Sequence, residues 1–277
     1  MGKEPPLQLG LLQLPVSADG AENLSRARAG VRALADAGAE LVLLPEMWAC
    51  PYQTPAFPAY AEEEGGPLWQ ALSSLARENR LWLAAGSVPE REGARIYNTA
   101  YVFAPDGTQA ARHRKMHLFD IDVAGGQRFM ESETLSAGNA VTTFETPWGV
   151  FGLCVCFDLR FPELSRLMTL RGARCILVPA AFNMTTGPLH WDLLFRQRAV
   201  DNQLFTVGCA PARDLHGPYV SYAHSIAVSP WGRVLFRAGT RPQKALVTLD
   251  FAELDAARAQ LPLLRARRTD VYEVREK

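Results

Sequence analysis

Apolar and polar positions alternate between two periods along the chain. Residues 7–14 form a short apolar run that predicts a buried strand. Over 22–38 the residues Leu24, Ala27, Val31 and Leu34 fall on one helical stripe that ends near Gly38. The run ELVLLP at 40–45 returns to strand, 68–79 has helical spacing, and 81–88 is strand again. Residues 96–103 and 108–115 flank Pro105-Asp106-Gly107, and 141–146 and 150–156 flank Pro147-Trp148-Gly149, which predicts two hairpins. Pro162 suits a first helical turn, so 162–171 reads as a helix, followed by strand 175–179, helix 190–202 and strand 204–210. Pro230-Trp231-Gly232 marks a third hairpin before strand 234–237. Strand 245–250, helix 251–259 and a basic, proline-containing tail over 261–277 complete the chain.

Strands alternate with helices, and hairpins are mixed in. With no linker-like shift in composition, no low-complexity block and no short repeat, the pattern predicts one α/β domain with a mixed sheet. Lys plus Arg equals Asp plus Glu at 29 each, so no global field draws in nucleic acid or an anionic membrane, and a small-molecule partner is the default. The start MGKEPPLQLGLLQLPV lacks the long apolar run and cleavage site of a signal peptide, and no stretch reaches the length of a membrane span. A soluble, cytoplasmic protein is expected. Five cysteines without a CxxC pair argue against a disulfide framework or a zinc knuckle and for free thiols. Neither a metal nor a cofactor is expected.

Candidate chemistry sits at the predicted strand ends: Glu46 in LLPEMW, Lys115 in RHRKMHLFD and Cys156 in VCFDLRFPE. Singly, each has a plain reading, as a solvated carboxylate, a surface lysine or a small buried hydrophobe. Together they supply what amide hydrolysis by a thiol requires: a base for the thiol proton, a cation for the oxyanion and a proton donor for the leaving amine. Histidine is the commoner base, and His113, His117, His190, His216 and His224 leave a Cys-His enzyme open as a rival. Cys154 and Cys156 would share one face of a continuous strand, so alternation does not choose between them. Cys156 comes at the end of the apolar run, where the chain turns toward Pro162, and Cys154 lies within it.

The segments LPEMW, RKMHLFD and CFDLRFPE resemble, in order and context, the three signature segments of the nitrilase superfamily of carbon-nitrogen hydrolases. CPYQTPAFPAYAE, FDIDVAGGQRFMESETLSAG, PAAFNMTTGPLHWDLLFRQRAVDNQ, SYAHSIAVSPWGRVL and LPLLRARRTDVY extend the likeness toward its omega-amidase branch, over nearly the whole chain. The resemblance implies a four-layer α-β-β-α sandwich with two mixed sheets, a carbon-nitrogen hydrolase domain over 1–277, and a homodimer or higher homo-oligomer. The tail over 261–277, with Arg265, Arg267 and Arg268, reads as a subunit contact, with anion binding or a solvated face as alternatives. The resemblance also assigns roles. Cys156 is the nucleophile, Glu46 the base, and Lys115 beside the Phe157 backbone N–H the oxyanion partner. Glu131 is a second glutamate near the lysine, where a carboxylate would keep Lys115 charged and oriented; a surface or loop-capping role is its plain alternative.

Substrate choice falls to the neighbours. Arg160, on the turn into the Pro162 helix, suits a bidentate clamp on a carboxylate. In omega-amidase-like enzymes the matching arginine, and a threonine that corresponds to Thr186, bind the carboxylate end of the substrate, with Phe182 as an apolar wall. The plain reading makes Arg160 a partner of Asp158 or Glu163. Asn98 and Tyr52 match positions near such pockets, with turn or packing roles as alternatives, and Trp48, two residues after Glu46, is a pocket-lining candidate with a core role as its alternative. The expected reaction is release of ammonia by water from the terminal amide of a short dicarboxylic monoamide, such as 2-oxoglutaramate or 2-oxosuccinamate. Hydrolysis of N-carbamoyl amino acids, aliphatic amides or nitriles, a non-catalytic binding subunit, and acyl transfer are the alternatives.

Overall fold

The computed structural model describes residues 5–124 and 127–277. Gly125 and Gly126 of the FDIDVAGGQRFM segment and the first residues of the MGKEPP start lie outside the described residues. The chain begins with β1 (Leu7–Gln13), α1 (Gly20–Asp36), β2 (Leu41–Leu43), α2 (Phe57–Tyr60), β3 (Glu62–Glu63), α3 (Pro67–Asn79) and β4 (Trp82–Glu92). Next come β5 (Arg95–Phe103), β6 (Gln109–Arg114), β7 (Asp120–Asp122), β8 (Arg128–Met130), β9 (Thr142–Thr146), β10 (Gly149–Leu153) and α4 (Pro162–Leu170). The remainder holds β11 (Cys175–Pro179), α5 (Gly187–Asn202), β12 (Phe205–Cys209), β13 (Ile226–Val228), β14 (Val234–Arg237), β15 (Gln243–Leu249) and α6 (Phe251–Gln260).

Two mixed sheets result. One has the order β15-β1-β2-β4-β5-β6 with β3 alongside β4, and the other has the order β14-β13-β12-β11-β10-β9. Each has a parallel centre, β1-β2-β4 and β10-β11-β12, flanked by antiparallel strands. Strand alternation decides which side chains fill which layer. Leu7, Leu9, Leu11, Leu41 and Leu43 share one core with Phe151, Leu153, Leu177 and Val207 of the second sheet. Val42 and Leu44 point the other way and pack with Val31 and Leu34 of α1 and Leu72 and Leu75 of α3. Trp191, Phe195 and Ala199 of α5 with Leu164 and Met168 of α4 cover the second sheet from outside. The layers therefore read helix, sheet, sheet, helix, as expected.

Where the structure departs from the periodicity, a local cause is visible. The helix expected over 22–38 runs Gly20–Asp36 because the Asp19 side chain caps it, accepting from the Ala21 and Glu22 amides. The helix expected from 190 starts at Gly187, with Pro188 in its first turn. β3, β7 and β8 are too short for a periodic signal. The strand expected over 150–156 stops at Leu153, a difference that bears directly on the two cysteines. Beyond Leu261 the tail forms neither helix nor strand. Among the described residues no helix is long and apolar enough to cross a membrane.

Candidate active site

Glu46, Lys115 and Cys156 are brought together from three loops by three different backbone devices. Between β4 and β5 the register shifts at Ala84 to Ser87. Gly86 there has φ +67, and a Cβ on it would stand 2.1 Å from the Pro45 carbonyl, so only glycine lets the segment after β2 lie this close. Ser87 then fixes that segment: its amide donates to Pro45 O at 3.2 Å and its Oγ accepts from the Met47 amide at 3.1 Å. Glu46, between those two anchors, is 1% exposed.

Lys115 follows directly on β6. Its amide donates to Asn98 O and its carbonyl accepts from the Gly138 amide, both at 2.8 Å. A Cβ at Gly138 would stand 2.1 Å from Arg114 O, so this crossing is also reserved for glycine. Cys156 opens a short 3-10 turn, Cys156–Arg160, in the left-handed region with φ +47. A non-glycine residue held there costs energy and persists only where its surroundings impose it. Because the strand ends at Leu153, Cys154 and Cys156 do not sit on one continuous strand, which corrects the sequence expectation. Cys154 is packed in the core, its amide bonded to Leu177 O, while the Cys156 Sγ accepts from the Ala181 amide at 3.5 Å.

Asp158, two residues on, supplies much of what imposes the turn. It is fully buried, and its Oδ2 accepts from the Val155 amide at 3.0 Å and from His113 Nε2 at 2.9 Å. Its Oδ1 accepts from the His117 amide at 2.9 Å and lies 2.7 Å from His117 Nδ1. His113 and His117 stand on either side of Lys115 in sequence. One carboxylate therefore ties the turn bearing Cys156 to the segment bearing Lys115. Burial works against its ionisation, yet the hydrogen bonds from His113 and His117 hold it below the usual carboxylate range.

Around the ammonium the side chains form a closed ring. Lys115 Nζ lies 2.8 Å from Glu46 Oε1 and 2.9 Å from Glu131 Oε2, all three fully buried. The Tyr52 hydroxyl lies 3.0 Å from Glu46 Oε1 and 2.8 Å from Glu131 Oε1, and Asn98 Nδ2 donates to Glu46 Oε1 at 2.9 Å. Glu131 Oε2 also accepts from the Phe119 amide at 2.7 Å, so this residue both pairs Lys115 and anchors a loop. Burial alone would lower the Lys115 pKa, but the charges of Glu131 and Glu46 outweigh it and hold the ammonium above its usual range. Burial pushes Glu131 up, opposed by Lys115.

Glu46 Oε2 is buried and has no hydrogen-bond partner in the described residues, in contrast to the crowded Oε1. That leaves one carboxylate oxygen free to take a proton. The Cys156 thiol is pushed well above its usual range, first by burial and then by the charge of Glu46, with Lys115 and the Ala181 N–H acting in the opposite direction. Such a thiol rests protonated and needs a base. No histidine hydrogen-bonds Cys156 among the described residues: His113 and His117 hold Asp158, His190 meets Arg160, and His224 meets Ala238 O. That removes the geometry a Cys-His pair needs.

Two spaces flank this cluster. A cleft of about 270 Å³ is lined by Glu46, Met47, Cys50, Tyr52, Asp214 and Tyr219. A smaller pocket is formed by Cys156 with Phe119, Phe157, Arg160, Phe182 and Thr186. Arg160 is half-buried, with its guanidinium carbon 4.7 Å from the Phe182 ring centre and 5.4 Å from that of Phe157. Its NH2 donates to Thr186 Oγ1 at 3.1 Å and its NH1 to His190 Nδ1 at 2.9 Å. Neither Asp158 nor Glu163 pairs it. It has no carboxylate partner among the described residues, and burial lowers its pKa.

The residues expected from sequence at the site are thus gathered in two adjoining places, with one exception. Trp48 is not among them: it is fully buried between β4 and the outer helices, its Nε1 donating to Ala85 O at 2.8 Å. Sequence reasoning weighed His113 only as a rival base and Asp158 only as a partner of Arg160, and placed Tyr52 and Asn98 near the pocket with turn or packing roles as alternatives. Among the described residues no group of three or more His, Cys, Asp or Glu side chains could hold a metal ion.

Residues 8–259 match the family model described as carbon-nitrogen hydrolase. The chain is 46% identical over 270 residues to the omega-amidase NIT2 of Mus musculus, covering 98% of each chain. It is 45% identical over 270 residues to the omega-amidase NIT2 of Homo sapiens, again covering 98% of each. Among solved structures, Nit3 of Saccharomyces cerevisiae, described as a member of branch 10 of the nitrilase superfamily, superposes with a TM-score of 0.88 at 38% identity, covering 96% of this chain and 98% of that one.

Proposed function

The chain belongs to the carbon-nitrogen hydrolase family, in the nitrilase superfamily, and from that premise we propose how this omega-amidase-like hydrolase uses its own residues. Cys156 attacks the carbonyl of a terminal amide as Glu46 takes its proton through the free Oε2. The new C–S bond leaves negative charge on the carbonyl oxygen, which Lys115 receives together with the Phe157 backbone N–H. Collapse breaks the C–N bond, and Glu46 returns the proton to the departing ammonia. Water then gives its proton to Glu46 and attacks the thioester, releasing the carboxylic acid and restoring the thiol. Glu131 and Tyr52 hold Lys115 and Glu46 in register throughout. No metal or cofactor enters this scheme.

The observation that carries the substrate class is Arg160. A half-buried guanidinium without a carboxylate partner, in the same pocket as Cys156 and bonded to Thr186, suits an amide whose far end is itself a carboxylate. Phe182 and Phe157 wall the short path between the two ends. Short dicarboxylic monoamides, with 2-oxoglutaramate and 2-oxosuccinamate as the leading compounds, are the proposed substrates. Ammonia release from these two, measured beside N-carbamoyl amino acids, aliphatic amides and nitriles, tests the assignment. A preference for a carbamoyl compound or a nitrile refutes the substrate class and leaves the triad standing.

The proposed state is a cytoplasmic homodimer with the chain acting as one hydrolase domain. Two exposed leucines on α5, Leu189 at 72% and Leu193 at 59%, support an apolar contact, and Val271 and Tyr272 of the tail are exposed as well.

A further inference from the structure

Arg160 is held by neutral groups alone: a threonine hydroxyl, an imidazole nitrogen and two aromatic faces. A guanidinium has no lone pair to offer, so at 2.9 Å the contact with His190 Nδ1 has one sense only: Arg160 donates and His190 accepts. The imidazole must therefore be neutral, with its proton on Nε2. We propose that His190 is a specificity-determining residue, which fixes the Arg160 guanidinium toward the pocket while leaving its charge uncancelled for the carboxylate of the substrate. This rests on the acid-terminated substrate class proposed above.

A carboxylate in place of His190 would hold Arg160 equally well in geometry and defeat it in charge. It would form an ion pair in a half-buried setting and leave the cation without attraction for a second anion. An aliphatic side chain would fail the other way, leaving NH1 unbonded and the guanidinium free to leave the ring of Phe182. Only a neutral acceptor serves both demands. Burial and the neighbouring Arg160 both lower the His190 pKa, in keeping with a neutral imidazole. His190 lies on α5, four residues beyond Thr186, which helps hold the same guanidinium. The helix start thus presents both acceptors to one cation.

The test compares succinamate with butyramide, its uncharged counterpart, as substrates of the purified full chain. The ratio of the two kcat/KM values is independent of the fraction of folded enzyme, so a loss of stability does not disturb it. His190→Glu and His190→Leu are expected to lower the ratio by about tenfold or more, the scale of one hydrogen bond or ion pair to a charged group. His190→Asn, whose Oδ1 stands where the imidazole Nδ1 stood, is expected to keep most of it. A wild-type preference for succinamate that survives His190→Glu overturns the inference alone. A wild-type ratio near one overturns the acid-terminated substrate class, and the inference with it.

Discussion

Asp158 Oδ2 lies 2.9 Å from His113 Nε2, joining the turn that carries Cys156 to the strand that ends beside Lys115. Both side chains are fully out of solvent. The pair touches no reacting atom. Its effect is on alignment, because Cys156 in a left-handed backbone and Lys115 from another segment must meet the same carbonyl carbon and oxygen.

Replacing Asp158 by Asn keeps the shape and removes the charge and one acceptor. The expected outcome is a fall in kcat of about tenfold to a hundredfold with a smaller change in KM, since alignment of nucleophile and cation matters at the transition state. A double-mutant cycle with His113→Gln, read in kcat, should show coupling between the two. Full additivity would mean that the contact transmits nothing to the chemistry.

Between Cys154 and Cys156 the structure makes an unequal prediction. Cys156→Ala should abolish the acyl-enzyme adduct in intact-mass trapping. Cys154→Ala should keep the adduct and cost about 1 to 2 kcal/mol of stability as a small cavity in the core. An adduct that depends on Cys154 instead would overturn the mechanism.

The Tyr52 hydroxyl carries one hydrogen and faces two carboxylates, so it couples Glu46 to Glu131. Tyr52→Phe deprives the Glu131 carboxylate of a donor, which adds to the upward push that burial already gives its pKa. The acid limb of the kcat/KM profile should therefore move to higher pH, and the maximum rate should fall by roughly tenfold. An acid limb that stays in place would show that Tyr52 only packs.

Stability at alkaline pH follows from the thiols. Burial pushes Cys50 and Cys209 up to about 12 from a usual value of 9.0, and Cys154 and Cys156 upward as well. In the unfolded chain these thiols ionise first, so it binds fewer protons than the native state once the pH passes 9.0. Their contribution is fully present below that pH and is lost as the pH rises toward about 12. The urea midpoint should decline steadily above pH 9.0, with a shallower decline in Cys50→Ala.

The proposed dimer is checked on α5. Leu189→Glu with Leu193→Glu puts charges on its exposed apolar face, and the mass from sedimentation or light scattering should drop to that of one chain. A mass unchanged by both substitutions would locate the contact elsewhere.

Much of this protein was legible in the sequence because the deciding forces act locally. Leu7, Leu9 and Leu11 alternate into the inner core with period two, and Ala27, Val31 and Leu34 keep one helical stripe, so element types follow from spacing alone. Glu46 and Cys156 could be singled out because each follows an apolar run that ends in a loop, and Lys115 because it stands at the end of a strand expected from the hairpin pattern. The expectation for Cys156 erred in its conformation, since a strand reading extends through an apolar run, whereas the positive φ is imposed by distant partners of Asp158.

What the sequence by itself determined was the set of strands and helices and the chemically capable side chains at their ends. Only the tertiary structure decided which of those side chains share a proton or a charge. Tyr52 meets Glu131 across 79 residues, His113 meets Asp158 across 45, and Arg160 meets His190 across 30. Pairings of that range leave no periodic trace in the chain, because they arise only when two sheets pack and bring their loops into one water-poor space where each buried polar group must find a partner.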